Sequence, residues 1–380
     1  MAKAYFPHPP SLPLVLVIDL DAVAHNYHTL SARVRKGVIC AAVLKANAYG
    51  MGVREVATRL YHEGCRHFFL AQISEAIELK TFVGEDASIY VLNGIRRGEE
   101  EVYAHYELIP VLGDPLQIHL WNSFCQTKNQ SLKAVLHCDT GLIRTGLSER
   151  AMEGLGLLQV SHMEIVCIMS HMACAYHAPH PMNEVQRMAF KDLKKRFPFA
   201  LFSFSSSGAL FLDESYHFDM IRAGIALTGC RSAIPHGEYT LKPVLKAYAQ
   251  VLQITEIPQG TSVGYNATFI ASRASRIATI GVGYADGYLR SLSNQGEVYF
   301  EGYKLPVVGC VSMDLTTIDI TDLPPNKIGL GSWVELFGDH LWASKVAEKA
   351  GTVSWELYTR LGSRFERFYL DSAEKSRDVA

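Results

Sequence analysis

The sequence predicts an α/β protein, an N-terminal (β/α)8 barrel of TIM type joined to a C-terminal, mostly β domain. Three observations lead there. The chain has 380 residues, 48% of them hydrophobic and 19% charged, enough for one barrel-sized domain and a smaller one. Short apolar runs alternate with helical spacing about eight times over the first ~230 residues, the pattern of parallel strands with helical crossovers. Near Leu241 that texture stops and β-rich runs separated by Gly, Pro and Asn take over. The expected boundaries are 1–240 for the barrel and 241–380 for the second domain, with the first ~12 residues packing on the latter.

The elements follow in order. Leu14 to Ile18 reads as a strand, and Asp21 as the N-cap of a helix running to about Arg35. Val38 to Leu44 is an uncharged run rich in Val and Ala, hence a buried strand, and Val53 to Tyr61 has helical spacing with Gly64 as its stop. Strands follow at His67–Ala71, Ile89–Leu92, Leu108–Leu112, Leu132–Cys138, Ile165–Met169 and Ala200–Phe204, and Asp219–Leu227 closes the series. The helices between them are Ser74–Phe82 with Ser74 as cap, Gly98–Tyr106, Leu116–Phe124 and Asn183–Arg196. An open doubly wound sheet is the competing architecture, but no Gly-x-Gly-x-x-Gly follows the first strand.

In the second domain the expected strands are Val244–Ile254, Arg276–Val282, Val298–Phe300, Pro306–Val311, Leu315–Ile320 and Trp333–Phe337, with one helix at Trp342–Ala350. The polar tail Asp371–Ala380 is expected to fray.

Bulk properties exclude several function classes. A net charge of −2 gives nucleic acid or an anionic membrane no basic surface to meet. The eight cysteines are scattered, with no Cys-x-x-Cys pair, and read as reduced thiols of a cytosolic protein. Pro7, Pro9, Pro10 and Pro13 interrupt the N-terminus, so it does not read as a signal segment, and no stretch is long enough to span a bilayer. The expectation is a soluble, cytoplasmic protein.

The chemistry starts at Ala41-Ala42-Val43-Leu44-Lys45-Ala46-Asn47-Ala48-Tyr49-Gly50. Here an apolar strand ends on a lysine. Apolar surroundings strip solvation from an ammonium, lower its pKa and free the amine as a nucleophile, as a Schiff-base lysine requires. On spacing alone a snorkelling lysine at a strand end fits equally well. The stretch resembles the pyridoxal 5'-phosphate (PLP) lysine motif of alanine racemases, and further motifs match in order along almost the whole chain.

The resemblance implies a role for each matching stretch. Lys45 would carry PLP and Tyr49 would contact it. In His137-Cys138-Asp139-Thr140-Gly141-Leu142-Ile143-Arg144, Arg144 would bind the substrate carboxylate. His137 stands where some members carry a carbamylated lysine. His171, in Ser170-His171-Met172, would sit near the cofactor ring. The spacing of His171, Cys174, His177 and His180 could read as a zinc site, but Pro179 and Pro181 break any helix presenting them together, so no metal is expected.

Ser205 and Ser206 end one strand, and hydroxyls with backbone N–H groups at such a turn suit a phosphate. The resemblance makes Ser206 a phosphate ligand, with Ser205 where the family often has Asn. Arg222-Ala223-Gly224-Ile225 would place Arg222 on the pyridine nitrogen, with Gly224 and Ile225 at the phosphate. In the second domain, Val263-Gly264-Tyr265 would supply the catalytic Tyr265. Tyr284, Met313 and Asp314 would form the substrate pocket. Trp355 replaces a tyrosine that usually binds the phosphate; it donates through its indole N–H but cannot accept.

The implied reaction is interconversion of L-alanine and D-alanine by two bases, Lys45 and Tyr265, in a homodimer whose active sites are shared between subunits. It would supply D-alanine for peptidoglycan. A broad-specificity PLP amino-acid racemase, a PLP-dependent decarboxylase and a non-catalytic PLP-binding protein are the alternatives. The decarboxylase lacks its Gly-rich phosphate turn and second-domain cysteine signature here, and the second-domain motifs weigh against the non-catalytic reading.

Overall fold

The computed structural model describes Phe6, residues 8–230 and residues 241–372. The chain divides into two units. One centres on Val23–Gly229, and the other combines the N-terminal residues up to Ala22 with the chain from Pro243 onward.

The first strand, β1 (Leu14–Asp19), is not one of the barrel strands. Helix α1 (Leu20–Arg33) follows it directly. The cap of α1 is Asp19 rather than the expected Asp21: its Oδ1 accepts the Ala22 N–H at 2.8 Å.

Eight parallel strands then close on themselves. They are β2 (Ile39–Val43), β3 (His67–Leu70), β4 (Ser88–Val91), β5 (Ile109–Leu112), β6 (Lys133–His137), β7 (Glu164–Met169), β8 (Leu201–Ser206) and β9 (Met220–Ala223). Closure is made by β2 against β9, with Ile39 opposite Met220 and Ala41 opposite Arg222. Helices α2 (Val53–His62), α3 (Ile73–Lys80), α4 (Glu100–His105), α5 (Pro115–Lys128), α6 (Glu149–Gly154) and α7 (Met182–Asp192) cross between successive strands from β2 to β8. Only 3₁₀ turns, Ala209–Phe211 and Glu214–Tyr216, join β8 to β9.

The barrel interior is filled by residues two apart on their strands, as the strand period requires. Ala41 and Val43 on β2, Ile109 and Val111 on β5, and Cys167 and Met169 on β7 pack with Phe69, Tyr90, Val135 and Met220.

Of the nine strand-like runs expected before Leu241, the first therefore does not join the barrel. β1 pairs antiparallel with β10 (Leu245–Ile257) and parallel with β18 (Glu366–Leu370). The second unit also holds β11 (Ser262–Val263), β12 (Phe269–Ile270), β13 (Ser275–Ile280), β14 (Glu297–Phe300), β15 (Tyr303–Pro306), β16 (Thr316–Asp319) and β17 (Trp333–Phe337). Its main sheet runs β15-β14-β17-β10-β1-β18, and β10 also pairs with β13, which pairs with β16.

Several expectations need correction. The helix expected from Ser74 starts at Ile73 behind Gln72. The expected strand Pro306–Val311 is displaced to Tyr303–Pro306. Among the strands and α-helices of this unit, four were not foreseen: β11, β12, β18 and the short helix α9 (Ser354–Thr359) after α8 (Ala343–Lys349). Residues 373–380 of the expected frayed tail lie outside the described residues. Among the described residues, no helix is long and apolar enough to cross a membrane.

Candidate active site

Lys45 follows the last residues of β2. Val43 fills the barrel interior and the fully buried Leu44 is pinned by its N–H to the Phe69 carbonyl at 2.9 Å. Burial lowers the Lys45 ammonium pKa, the neighbouring Arg144 charge lowers it further, and the Glu75 carboxylate opposes both.

The chain then does something the motif did not announce. Ala46, Asn47, Ala48 and Tyr49 have φ of 54°, 54°, 52° and 55°, one turn of left-handed helix. Each such L-residue costs roughly 1–2 kcal/mol, so the turn persists only where its surroundings hold it. Ala48 N–H donates to the Leu44 carbonyl at 2.8 Å and Gly50 N–H to the Ala46 carbonyl at 2.9 Å. Asn47 Oδ1 accepts the Val53 N–H at 2.7 Å, and Glu75 Oε1 accepts the Ala46 N–H at 2.6 Å. The turn carries Tyr49 to Gly224, where an added Cβ would lie 2.4 Å from the Tyr49 hydroxyl. Glycine is required there by that approach. Burial pushes the Tyr49 phenol pKa up, keeping it a neutral donor.

Arg222, on β9, is 4% exposed. Its Nη1 donates to the Ser203 carbonyl at 2.8 Å and the Ser203 hydroxyl at 2.6 Å; its Nη2 donates to the Ser170 carbonyl at 2.6 Å. Nη2 also lies 3.3 Å from His171 Nδ1. A guanidinium only donates, so Nδ1 accepts and a neutral His171 carries its proton on Nε2. Burial, then the charges of Arg222 and Arg144, push His171 down to about 3. His137, buried at the end of β6, is pushed down to about 4 by burial and the same two arginines. Burial takes Arg222 itself down to about 10, so it stays charged at neutral pH.

Arg144 projects from the loop after β6. The Asp139 carboxylate folds that loop by accepting the N–H groups of Gly141, Leu142 and Ile143 at 2.8, 2.9 and 2.8 Å. Ser205 is buried and Ser206 half-buried at the end of β8. The Ser207 hydroxyl accepts the N–H groups of Gly224 and Ala226 at 3.0 and 3.1 Å, joining that end to the buried Gly224–Ile225 turn.

The barrel unit thus brings Lys45, Tyr49, Arg144, His171, Ser205, Ser206, Arg222, Gly224 and Ile225 to the C-terminal ends of its strands, where barrel enzymes keep their active sites. Arg144 and Arg222 are cations and both histidines are neutral, so the strand ends favour an anion. The donor set fits PLP. Among the described residues the Arg222 Nε–H has no acceptor and the Ser206 hydroxyl no partner, leaving one donor for a ring nitrogen and one for a phosphate. Among the described residues no group of three or more His, Cys, Asp and Glu could hold a metal ion.

The second unit holds the other four motifs and brings three of them together. Tyr284 N–H donates to the Ser312 carbonyl and Ala285 N–H to the Met313 carbonyl, both at 3.0 Å, and a Cβ on Gly283 would collide with the Met313 carbonyl at 2.3 Å. The Tyr265 turn rests on the start of the same segment: a Cβ on Gly264 would lie 3.2 Å from the Cys310 nitrogen. Tyr265 is 70% exposed, Met313 53% and Tyr284 43%. Trp355 lies in the first turn of α9, partly buried.

Residues 18–232 match the family model for the alanine racemase N-terminal domain, and residues 244–369 the one for the alanine racemase C-terminal domain. The chain belongs to the alanine racemase family. It is 42% identical over 360 residues to a catabolic alanine racemase of Rhizobium johnstonii, covering 93% of this chain and 94% of that one. It is 40% identical over 357 residues to an alanine racemase of Rhodospirillum rubrum, covering 93% and 95%. The solved alanine racemase of Bartonella henselae with covalently bound PLP superposes with a TM-score of 0.91 at 42% identity, over 95% of this chain and all of that one.

Three residues of this alanine racemase fold that hold the site in place escaped the sequence reading. Ser203 and Ser207 flank the serines singled out, and strand alternation would have pointed Ser203 and Ser205 to one face and Ser206 to the other. Glu75 lies in a helix start that reads as ordinary capping, with nothing local to connect it to Lys45.

Proposed function

We propose that the protein interconverts L-alanine and D-alanine with pyridoxal 5'-phosphate. The observation that carries this is the lysine at the end of β2, its pKa lowered by burial and by Arg144, within a ring of strand ends that also holds the buried Arg222. Lys45 would hold the cofactor, with Arg222 and His171 toward its ring and Tyr49, Ser205, Ser206, Gly224, Ile225 and Trp355 toward its phosphate. When bound, the cofactor supplies an electron sink for negative charge at the substrate Cα.

The remaining work belongs to the chain. Arg144 orients the substrate carboxylate together with Tyr284, Met313 and Asp314. Inversion at Cα needs proton transfer on both faces. Lys45 Nζ takes or returns the proton on one face and Tyr265 Oη on the other, each acting as base in one direction and acid in the other. Arg222 cannot readily give up a proton, so it leaves a ring nitrogen unprotonated, a weaker sink that disfavours side reactions such as transamination. The exposed Tyr265, Tyr284 and Met313 are supplied by the second domain of a partner copy, in a homodimer with shared sites. The setting proposed is the cytoplasm, with D-alanine supplied for peptidoglycan.

The test is proton NMR of the purified protein with PLP and L-alanine in D₂O, followed by chiral analysis. Loss of the α-proton signal with D-alanine appearing is the expected result. Comparable turnover of L-lysine or L-arginine would transfer the assignment to a broad-specificity racemase, and no exchange from any substrate would overturn it.

A further inference from the structure

We infer that Glu75 is a positioning residue for Lys45, acting through the amide of Ala46. The inference rests on the racemase reading above and deepens it. One carboxylate serves two segments. Its Oε1 accepts the Ala46 N–H at 2.6 Å, the first amide after the lysine. Its Oε2 accepts the Ala71 N–H at 2.9 Å and the Gln72 N–H at 3.0 Å, which fixes the end of β3 and the start of α3.

The geometry explains why such an anchor is needed. Lys45 is followed by four non-glycine residues in left-handed conformation, an arrangement L-residues leave unless held. The Leu44 carbonyl and Asn47 side chain brace the middle and far end of the turn. Before the lysine, Leu44 is tied to β3 through the Phe69 carbonyl; after it, among the described residues, Glu75 alone ties the Ala46 amide to the end of that strand. Because it is tied to the β3–α3 junction at the same time, the lysine inherits the rigidity of the neighbouring strand. The carboxylate is also an anion beside an ammonium whose other charged neighbour is Arg144.

Two variants separate this role from helix capping. Glu75→Asp keeps a carboxylate at the third helical position, where it can still cap α3, but is one methylene short of spanning both segments. Glu75→Gln keeps the length and sets an amide N–H₂ against one of the two sets of donors. Amide hydrogen exchange of the full chain without cofactor is followed on peptides spanning 44–52 and, as internal reference, on β6.

Both variants are expected to raise exchange in 44–52 by about tenfold with β6 unchanged. With PLP bound, kcat for alanine should fall by about 10²-fold with little change in KM, since misplacing a reacting group costs rate more than binding. Wild-type exchange in 44–52 would overturn the inference, whatever the activity. So would exchange rising equally across the barrel, or KM rising with kcat intact. Absence of racemisation by the wild-type protein would instead strike the functional reading and leave the exchange result standing.

Discussion

The buried carboxylate of Asp286 accepts a 2.6 Å hydrogen bond from Arg364 Nε. The same guanidinium donates from Nη1 to Asp314 at 2.8 Å, and Asp286 also accepts the Gly283 N–H at 2.9 Å. Arg364 therefore clamps the Tyr284 turn to the Met313–Asp314 segment, and Asp286 is 1% exposed. Arg364→Ala leaves that carboxylate without its cation. The expected outcome is a several-fold rise in KM for alanine and a lower melting temperature, read by steady-state kinetics and thermal unfolding. Unchanged kinetics would show that the two loops keep their positions without the clamp.

His137 and His171 make stability depend on pH. Both are pushed well below the ordinary histidine value, to about 4 and about 3, first by burial and then by Arg222 and Arg144, with Asp139 opposing at His137 and Lys45 adding at His171. The unfolded chain binds these protons near pH 6.5 and the folded chain does not. Stability is thus full above about pH 6.5 and falls as pH drops toward 4, by up to about 1.4 kcal/mol per pH unit for each histidine. Urea unfolding at pH 7.5 and pH 5 measures it. His171→Asn should flatten the slope.

Gly224→Ala places a methyl group 2.4 Å from the Tyr49 hydroxyl and 3.3 Å from Val43 Cβ. Neither β2 nor the left-handed turn can yield without strain. A loss of about 1–3 kcal/mol in stability is expected from the overpacking, with weaker retention of PLP because Tyr49 must move. Thermal unfolding and dialysis of the cofactor check the two effects separately.

Tyr265→Ala should cripple α-proton removal from one enantiomer of alanine more than from the other, whereas Lys45→Ala should abolish racemisation. Solvent deuterium uptake measured from each enantiomer decides it. Equal residual exchange from both in Tyr265→Ala would refute the two-base scheme.

The barrel was legible because its signal is local. Each strand-to-strand crossover lies within one stretch of sequence, and the apolar runs ending at Leu44, Cys138, Met169 and Phe204 mark their boundaries to within a residue or two. The left-handed turn was hidden because Ala46 and Ala48 carry no preference for that conformation; the hydrogen bonds that impose it come from Leu44, Asn47 and Glu75. β1 was misread as a barrel strand for a related reason. Its continuous apolar run looks like that of a buried barrel strand, but its neighbours are set by residues far along the chain. The catalytic roles were readable only through family motifs, since an exposed tyrosine such as Tyr265 looks by itself like surface.

The pairing of β1 also orders events in time. Val15 lies opposite Tyr248 on one side and Glu366 on the other. During synthesis this apolar strand emerges before every barrel strand and stays without either neighbour while they are made. The barrel can close as soon as β9 is free, whereas the sheet around β1 is completed only when β18 leaves the ribosome. A chain cut short before Glu366 would therefore carry a finished barrel and a naked, sticky β1, a form marked for aggregation or degradation rather than partial activity.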